Sequence, residues 1–171
     1  MEPGLDSSEM QRAPVATGEL TSPYFGMTPL RKTGQIAVTK TDLSDVYLGY
    51  ITCLNKQDWS RLERFVDDDV LHNGRRLGLS GYRDMLERDF REIPDLRFNV
   101  QMLVCEPPRI ASRLLFDCTP RGEFFGLPIN GRKVSFSENV FYEFRTDKIV
   151  RVWSVIDTAD IAAQLRAVLT A

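Results

Sequence analysis

Histidine is nearly missing from this chain: among its 171 residues, His72 is the only one. A catalytic zinc site needs several clustered ligands, so a lone histidine argues against one, and no metal is expected. Cysteine is scarce too. Cys53, Cys105 and Cys118 are an odd number without metal-ligand spacing, and reduced thiols in a cytoplasmic protein are the simplest reading. No apolar run is long enough to span a bilayer. The N-terminus lacks the basic-then-apolar layout of a secretory signal. A net charge of −2 supplies no excess positive field, so nucleic acid is not an expected partner. A glycine-rich phosphate cradle, a P-loop and a nucleophile elbow are all lacking, and no cofactor is expected. The glycines from Gly122 to Gly131 are spaced for turns, not for a dinucleotide.

What is present suits one globular domain: 43% hydrophobic and 10% aromatic residues in a chain of ordinary domain length. The first forty residues differ from the rest. Pro3, Pro14, Pro23 and Pro29 interrupt them, and their apolar residues keep no period. A flexible or partly extended tail is expected over 1–40, with an extended stretch at Gln35–Val38, and a folded domain over 41–171.

Within that domain, Val46, Tyr50, Ile51 and Leu54 recur at helical spacing. Trp59, Leu62, Phe65 and Val66 mark a shorter helix with Asp58 as its candidate cap. Tyr82, Met85, Leu86 and Phe90 predict a third helix that Pro94 ends. Their spacing reads as core. Val70-Leu71-His72 is a brief strand or bend before the Asn73-Gly74 turn. Strands follow at Leu96–Val104 and Ile110–Cys118, with Pro107-Pro108 at the corner and Phe124-Phe125 in a short strand or loop. Val134–Phe144 and Ile149–Ile156 form a long hairpin about Thr146-Asp147. A final helix opens at Asp157 and ends near Leu165–Leu169. Helices first, then antiparallel strands, then one closing helix indicate an α+β fold.

A hairpin turning at Thr146-Asp147 pairs Asn139 with Ser154, Phe141 with Val152 and Glu138 with Val155. One face then carries Ser137, Asn139, Phe141, Val152, Ser154 and Ile156. The other carries Phe136, Glu138, Val140, Tyr142, Phe144, Ile149, Arg151, Trp153, Val155 and Asp157. A one-residue slip would exchange these sets. The second face is the more aromatic. It is either the back of the sheet, covered by a second subunit, or the ligand face. On a ligand face, Glu138 and Asp157 become a carboxylate pair, and desolvation would raise their pKa values toward neutral. Alternatively, Glu138 simply pairs with Arg151, and Asp157 caps the last helix. His72, at a strand end, is either structural or the most convenient proton carrier in the chain. Arg113 and Asp117 share a strand face and either pair with neighbours or line a pocket. Arg75-Arg76 is either an anion contact or a solvated loop.

Three segments together resemble the SnoaL-like ester cyclases, within the wider group shaped like nuclear transport factor 2. The first runs from Tyr50-Ile51 through Asp58-Trp59 to Phe65-Val66-Asp67-Asp68-Asp69-Val70-Leu71-His72. The second is Cys118-Thr119-Pro120-Arg121-Gly122-Glu123-Phe124-Phe125-Gly126-Leu127-Pro128, closed by Asn130-Gly131-Arg132. The third is Lys148-Ile149-Val150-Arg151-Val152-Trp153 with Asp157 and Gln164-Leu165. The resemblance, over roughly Leu43 to Leu165, implies a cone: a curved antiparallel sheet packed against three helices, with a C-terminal helix and a pocket at the open end. It also implies a homodimer and proton-transfer chemistry on small hydrophobic carbonyl compounds.

In polyketide cyclases of this type a glutamine, a histidine and an acid–base aspartate stand at the places of Asn139, Phe141 and Ser154, which directs the first hairpin face toward the pocket. Only the amide is kept here. Phe141 cannot move a proton, and Pro120 stands where many ester cyclases carry a histidine. The expectation is therefore an enzyme of cyclase, isomerase or hydrolase type acting on an apolar carbonyl, ester or lactone. His72, Glu138 and Asp157 would carry protons. Asn139, Ser154, Phe141, Trp153, Arg113 and Asp117 would bind substrate. A non-catalytic binding or assembly module of the same shape is the alternative.

Overall fold

A computed structural model describes residues 40–129 and 131–167. The expected N-terminal tail with its stretch at Gln35–Val38, the loop residue Asn130 and the final helix beyond residue 167 lie outside the described residues.

Helix α1 (Lys40–Asn55) leads into a 3₁₀ turn at Trp59–Arg64. Asp58 precedes that turn without capping it, its Oδ1 accepting instead from Ser60 Oγ at 2.8 Å. Strand β1 (Val66–His72) and the short β2 (Arg75–Arg76) form a hairpin about Asn73-Gly74. Both turn residues have positive φ (46° and 78°), the conformation for which Asn and Gly are favoured in two-residue hairpins. Helix α2 (Gly78–Glu92) follows, then β3 (Asn99–Glu106), β4 (Arg109–Cys118), the small hairpin β5 (Glu123–Phe124) and β6 (Leu127–Pro128), β7 (Val134–Arg145), β8 (Lys148–Ile156) and α3 (Thr158–Ala167).

Six strands make one curved sheet in the order β2-β1-β8-β7-β4-β3, the fold class expected. It is mixed rather than wholly antiparallel, because β1 runs parallel to β8. The connection between those two strands spans α2 and most of the sheet, so β1 can enter beside β8 in either direction.

Alternate residues of each strand turn inward. Ile110, Leu114 and Phe116 of β4, Phe136, Val140, Tyr142 and Phe144 of β7, and Val152 of β8 are buried against the helices. Tyr47 and Tyr50 of α1 meet Tyr142 with ring centroids 5.1 and 6.0 Å apart. Phe98 and Phe136 pack on Phe116 at 5.3 and 5.1 Å. The aromatic side of β7 is thus the core side. Tyr82, Leu86 and Phe90 of α2 meet it on the stripe that helical spacing placed there, and Ile93, just past the helix, is buried as well.

The hairpin register differs from the simple pairing. Arg145 opposes Lys148 and Phe144 opposes Ile149, but Glu143 opposes Arg151. A bulge at Val150 inserts one extra residue into β8, so Val140 faces Ser154, Phe141 faces Trp153 and Glu138 faces Ile156. Beyond that point the two strands exchange partners as a one-residue slip would. Val152, Ser154 and Ile156 consequently join Glu138 and Tyr142 on the inner side, and Trp153 and Val155 join Asn139 and Phe141 on the outer side.

Candidate active site

Glu138 stands on the inner side of β7, among apolar neighbours. Ser154 Oγ on the adjacent strand donates a hydrogen bond to its Oε1. Asn73 fixes that strand edge. Its Oδ1 accepts from Ser154 N–H at 2.8 Å, its Nδ2 donates to the Ser154 carbonyl at 3.3 Å, and its own N–H donates to the Val152 carbonyl at 2.9 Å. The left-handed turn after β1 therefore locks the serine that holds the carboxylate. Burial raises the Glu138 pKa, and the Ser154 hydrogen bond opposes part of that rise.

His72 is the last residue of β1 and lies beside Val152 in register, so it shares the inner side. Its ring centroid is 6.1 Å from that of Tyr82. Burial lowers its pKa, which keeps the imidazole neutral at pH 7. Tyr82 and Tyr50 are buried and joined by their hydroxyls at 2.7 Å. Tyr47 and Tyr142 complete a group of four tyrosines whose ionisation burial opposes. For Tyr47 the pKa is pushed up to about 12, with Ser112 and Tyr142 near enough to hold it down slightly. No group of good hydrogen-bonding geometry meets its Oη among the described residues.

Asp89 was not foreseen. It lies on α2, one turn beyond Leu86 and seven residues beyond Tyr82, at the margin of the inward stripe. Its half-buried carboxyl has its pKa raised to about 6, chiefly by burial. Arg88 opposes the rise, and the charges of Glu92 and Glu138 add to it. The available signal was an aspartate interrupting an apolar helical stripe, which a reading of that stripe as core passes over.

The remaining expected residues fall elsewhere. Asn139, Phe141, Trp153 and Arg113 are on the outer side. Arg113 donates to Asn139 Oδ1 at 3.1 Å and, through Nε, to Gln101 Oε1 at 3.0 Å. Phe141 and Trp153 are 53% and 39% exposed, facing away from the helices. Asp117 pairs with Lys133 at 2.7 Å on the same outer side. The pairing of Asn139 and Phe141 with Ser154 on one pocket face is thus corrected, and the physical cause is the Val150 bulge. Arg151 pairs with Glu143 at 3.6 Å, not with Glu138, from which the bulge separates it. Asp157 is exposed and accepts from Asp160 N–H at 3.1 Å, the geometry of a helix cap, while its own N–H donates to the Ser137 carbonyl at 3.1 Å.

Cys53, Cys105 and Cys118 are buried, and no disulfide joins them. Among the described residues, no group of three or more His, Cys, Asp or Glu side chains is placed to hold a metal ion, and no helix is long and apolar enough to cross a membrane.

Residues 44–165 match the SnoaL-like polyketide cyclase family. Among solved structures, a SnoaL-like polyketide cyclase from Agrobacterium tumefaciens str. c58 is 57% identical, with a TM-score of 0.71 over 72% of this chain and 97% of that one. TsrD from Streptomyces laurentii (20% identity, TM-score 0.66, 75% and 98% covered) and IdmH from Streptomyces antibioticus (23%, 0.63, 72% and 97%) share the fold. No curated protein matches the chain. The inward tyrosines and carboxylates, the bulged hairpin and the curved six-stranded sheet stand in a chain that belongs to the SnoaL-like polyketide cyclase family, of the fold typified by nuclear transport factor 2.

Proposed function

We propose that this protein is a small-molecule enzyme of cyclase, isomerase or hydrolase type that moves protons on an apolar carbonyl, ester or lactone, without a cofactor. The observation that carries the reading is Glu138: an inward carboxylate in an aromatic surround, held by Ser154. Ser154 stands where the family's cyclases carry their acid–base aspartate, and a hydroxyl alone is a poor proton carrier. Here the hydroxyl reaches across the ladder to a carboxylate on the next strand, so the proton-carrying group has moved by one strand while staying on the same face. His72, neutral and on the same face, is the second proton carrier. The buried Tyr50–Tyr82 pair shapes an environment in which a carbonyl oxygen gaining charge meets hydroxyl donors and little water.

Proton abstraction beside a carbonyl is the step common to aldol ring closure and isomerisation. It is therefore testable without knowing the natural substrate. Apolar cyclic ketones and β-keto esters in D₂O, followed by NMR, should exchange their α-protons faster with the protein than without it, and Glu138→Gln should lose about hundredfold of that acceleration. Saturable binding of the same compounds with no exchange at any pH would favour the binding module instead.

Two further readings accompany the enzyme. The outer side of the sheet presents Met102, Val104, Leu115, Phe141, Trp153 and Val155, six of the eight large hydrophobics that are exposed among the described residues. That surface, and not the aromatic stripe of Phe136, Val140, Tyr142 and Phe144, which the chain's own core covers, favours a homodimer formed through the sheet. Buried cysteines outside any disulfide favour a reducing, cytoplasmic setting, and the near-neutral charge disfavours nucleic acid as a partner.

A further inference from the structure

We infer that Tyr47 donates the hydrogen bond that holds the substrate's carbonyl oxygen while Glu138 takes the neighbouring proton; this rests on the acid–base reading of Glu138 given above. Tyr47 is wholly buried, and its Oη is, among the described residues, the one buried side-chain nitrogen or oxygen without a hydrogen-bond partner. The hydroxyls of Ser112 and Tyr142 lie near it without bonding geometry, and Ser112 commits its proton to the Met102 carbonyl at 3.3 Å. A buried hydroxyl without a partner costs the fold its desolvation and returns nothing, and phenylalanine would fill the same place without that cost. The fold alone therefore does not account for the hydroxyl; a bound oxygen atom does.

The sheet register relates this hydroxyl to the carboxylate. Ser112, Val140 and Ser154 lie side by side on β4, β7 and β8, all on the inner side. Tyr47 stands over the β4–β7 end of that row, its ring 5.1 Å from that of Tyr142, the next inward residue of β7. The Glu138 carboxyl lies at the other end, joined to Ser154 Oγ. The row spans two strand spacings, about 10 Å between backbones. A carbonyl group and its α-carbon bridge that span when side chains reach in from both ends. Glu138, Ser154 and His72 are half-buried while Tyr47 is closed off, so a ligand enters at the carboxylate and seats its oxygen against the tyrosine. Burial pushes the Tyr47 pKa up to about 12, which keeps the hydroxyl a donor near neutral pH. In the reaction the carbon–hydrogen bond beside the carbonyl breaks and its proton passes to Glu138. The electron pair of that bond forms the carbon–carbon double bond, and the carbonyl π pair moves onto oxygen. The enolate oxygen accepts the Tyr47 hydrogen bond while the tyrosine keeps its proton. Glu138 then exchanges its proton with solvent and returns a deuteron in D₂O.

A melting test and a binding test, both on the full chain, separate an oxygen donor from a structural tyrosine. Tyr47→Phe should melt at the wild-type temperature or above it, because an unpartnered group is removed. Tyr50→Phe should melt lower, because it leaves the Tyr82 hydroxyl without its partner. Loss of stability in Tyr47→Phe would overturn the inference. Binding is read with 4-nitrophenolate, a coloured enolate-like oxyanion, in Glu138→Gln, whose neutral amide stands in for the protonated acid. Adding Tyr47→Phe to Glu138→Gln should weaken that binding about tenfold or more. Unchanged affinity, or no binding by Glu138→Gln, would overturn the inference. In the exchange assay Tyr47→Phe should slow the wild-type rate about hundredfold. Exchange lost in Glu138→Gln but intact in Tyr47→Phe would overturn the inference while sparing the Glu138 reading. Phenolate binding that depends on Tyr47, with no exchange by wild type, would leave the oxygen site standing and refute the enzyme.

Discussion

Replacing Asp89 by asparagine should stabilise the protein at neutral pH and leave it unchanged in acid. In the unfolded chain this carboxyl ionises near 3.8, and in the folded protein near about 6. Because the folded value is the higher, folding favours the protonated acid. That preference is fully present below pH 3.8 and is lost as pH rises through about 6. Above that window the ionised carboxylate opposes folding by about 3 kcal/mol, two pKa units at about 1.4 kcal/mol each. Residual solvent contact at a half-buried group screens part of this, so about 1–3 kcal/mol is the working range. Asparagine keeps the shape and removes the charge. Thermal melts of wild type and variant should coincide near pH 3.5 and diverge above pH 7, with the variant melting about 3–10 °C higher. A variant that is destabilised equally at all pH values would show that Asp89 makes an ordinary favourable contact, and would refute the account of it as an uncompensated inward charge.

Other expectations follow from the same geometry. Ser154→Ala removes the hydrogen bond that opposes the burial effect on Glu138, so the Glu138 titration midpoint should rise further; an unchanged midpoint in ¹³C titration would show that the bond is not formed. Asp157→Ala should cost about 0.5–2 kcal/mol in denaturant unfolding as a lost helix cap, with no effect on proton exchange beyond that. Phe141→Lys on the outer side should shift light scattering at micromolar concentration from dimer to monomer while preserving the fold; a protein that is monomeric before substitution would remove the basis for the dimer. Leu114→Ala, wholly buried in β4, should destabilise by about 2–5 kcal/mol in the same unfolding assay.

The sequence reading located most elements because their signals are local. The stripe Tyr82–Leu86–Phe90 specified both the existence of α2 and its buried face, and Asn73-Gly74 specified a tight hairpin through left-handed backbone that few residues adopt. The aromatic alternation of β7 marked a buried strand and placed Glu138 correctly among its neighbours. What local pattern could not supply was the bulge. Nothing in Ile149-Val150-Arg151 announces an extra residue, since all three side chains fit an extended strand. One such residue reverses the orientation of everything beyond it. That moved Trp153 outward and Ser154 inward, and it separated Asn139 and Phe141 from the serine they were expected to accompany. Asp89 was missed for a different reason: its position depends on where α2 packs, which is a tertiary fact. Asp157 lay between two readings because a residue before a helix satisfies both, and only the hydrogen bond from Asp160 N–H distinguishes them.

The central claim is that the working face of the sheet is the one bearing Glu138 and not the one bearing its chain neighbour Asn139. Measuring α-proton exchange of an apolar cyclic ketone with Glu138→Gln and Asn139→Ala, side by side at pH 7, tests it most directly. The account predicts about hundredfold loss for the first and a near-wild-type rate for the second. Loss in Asn139→Ala with retention in Glu138→Gln would place the chemistry on the outer side and contradict it.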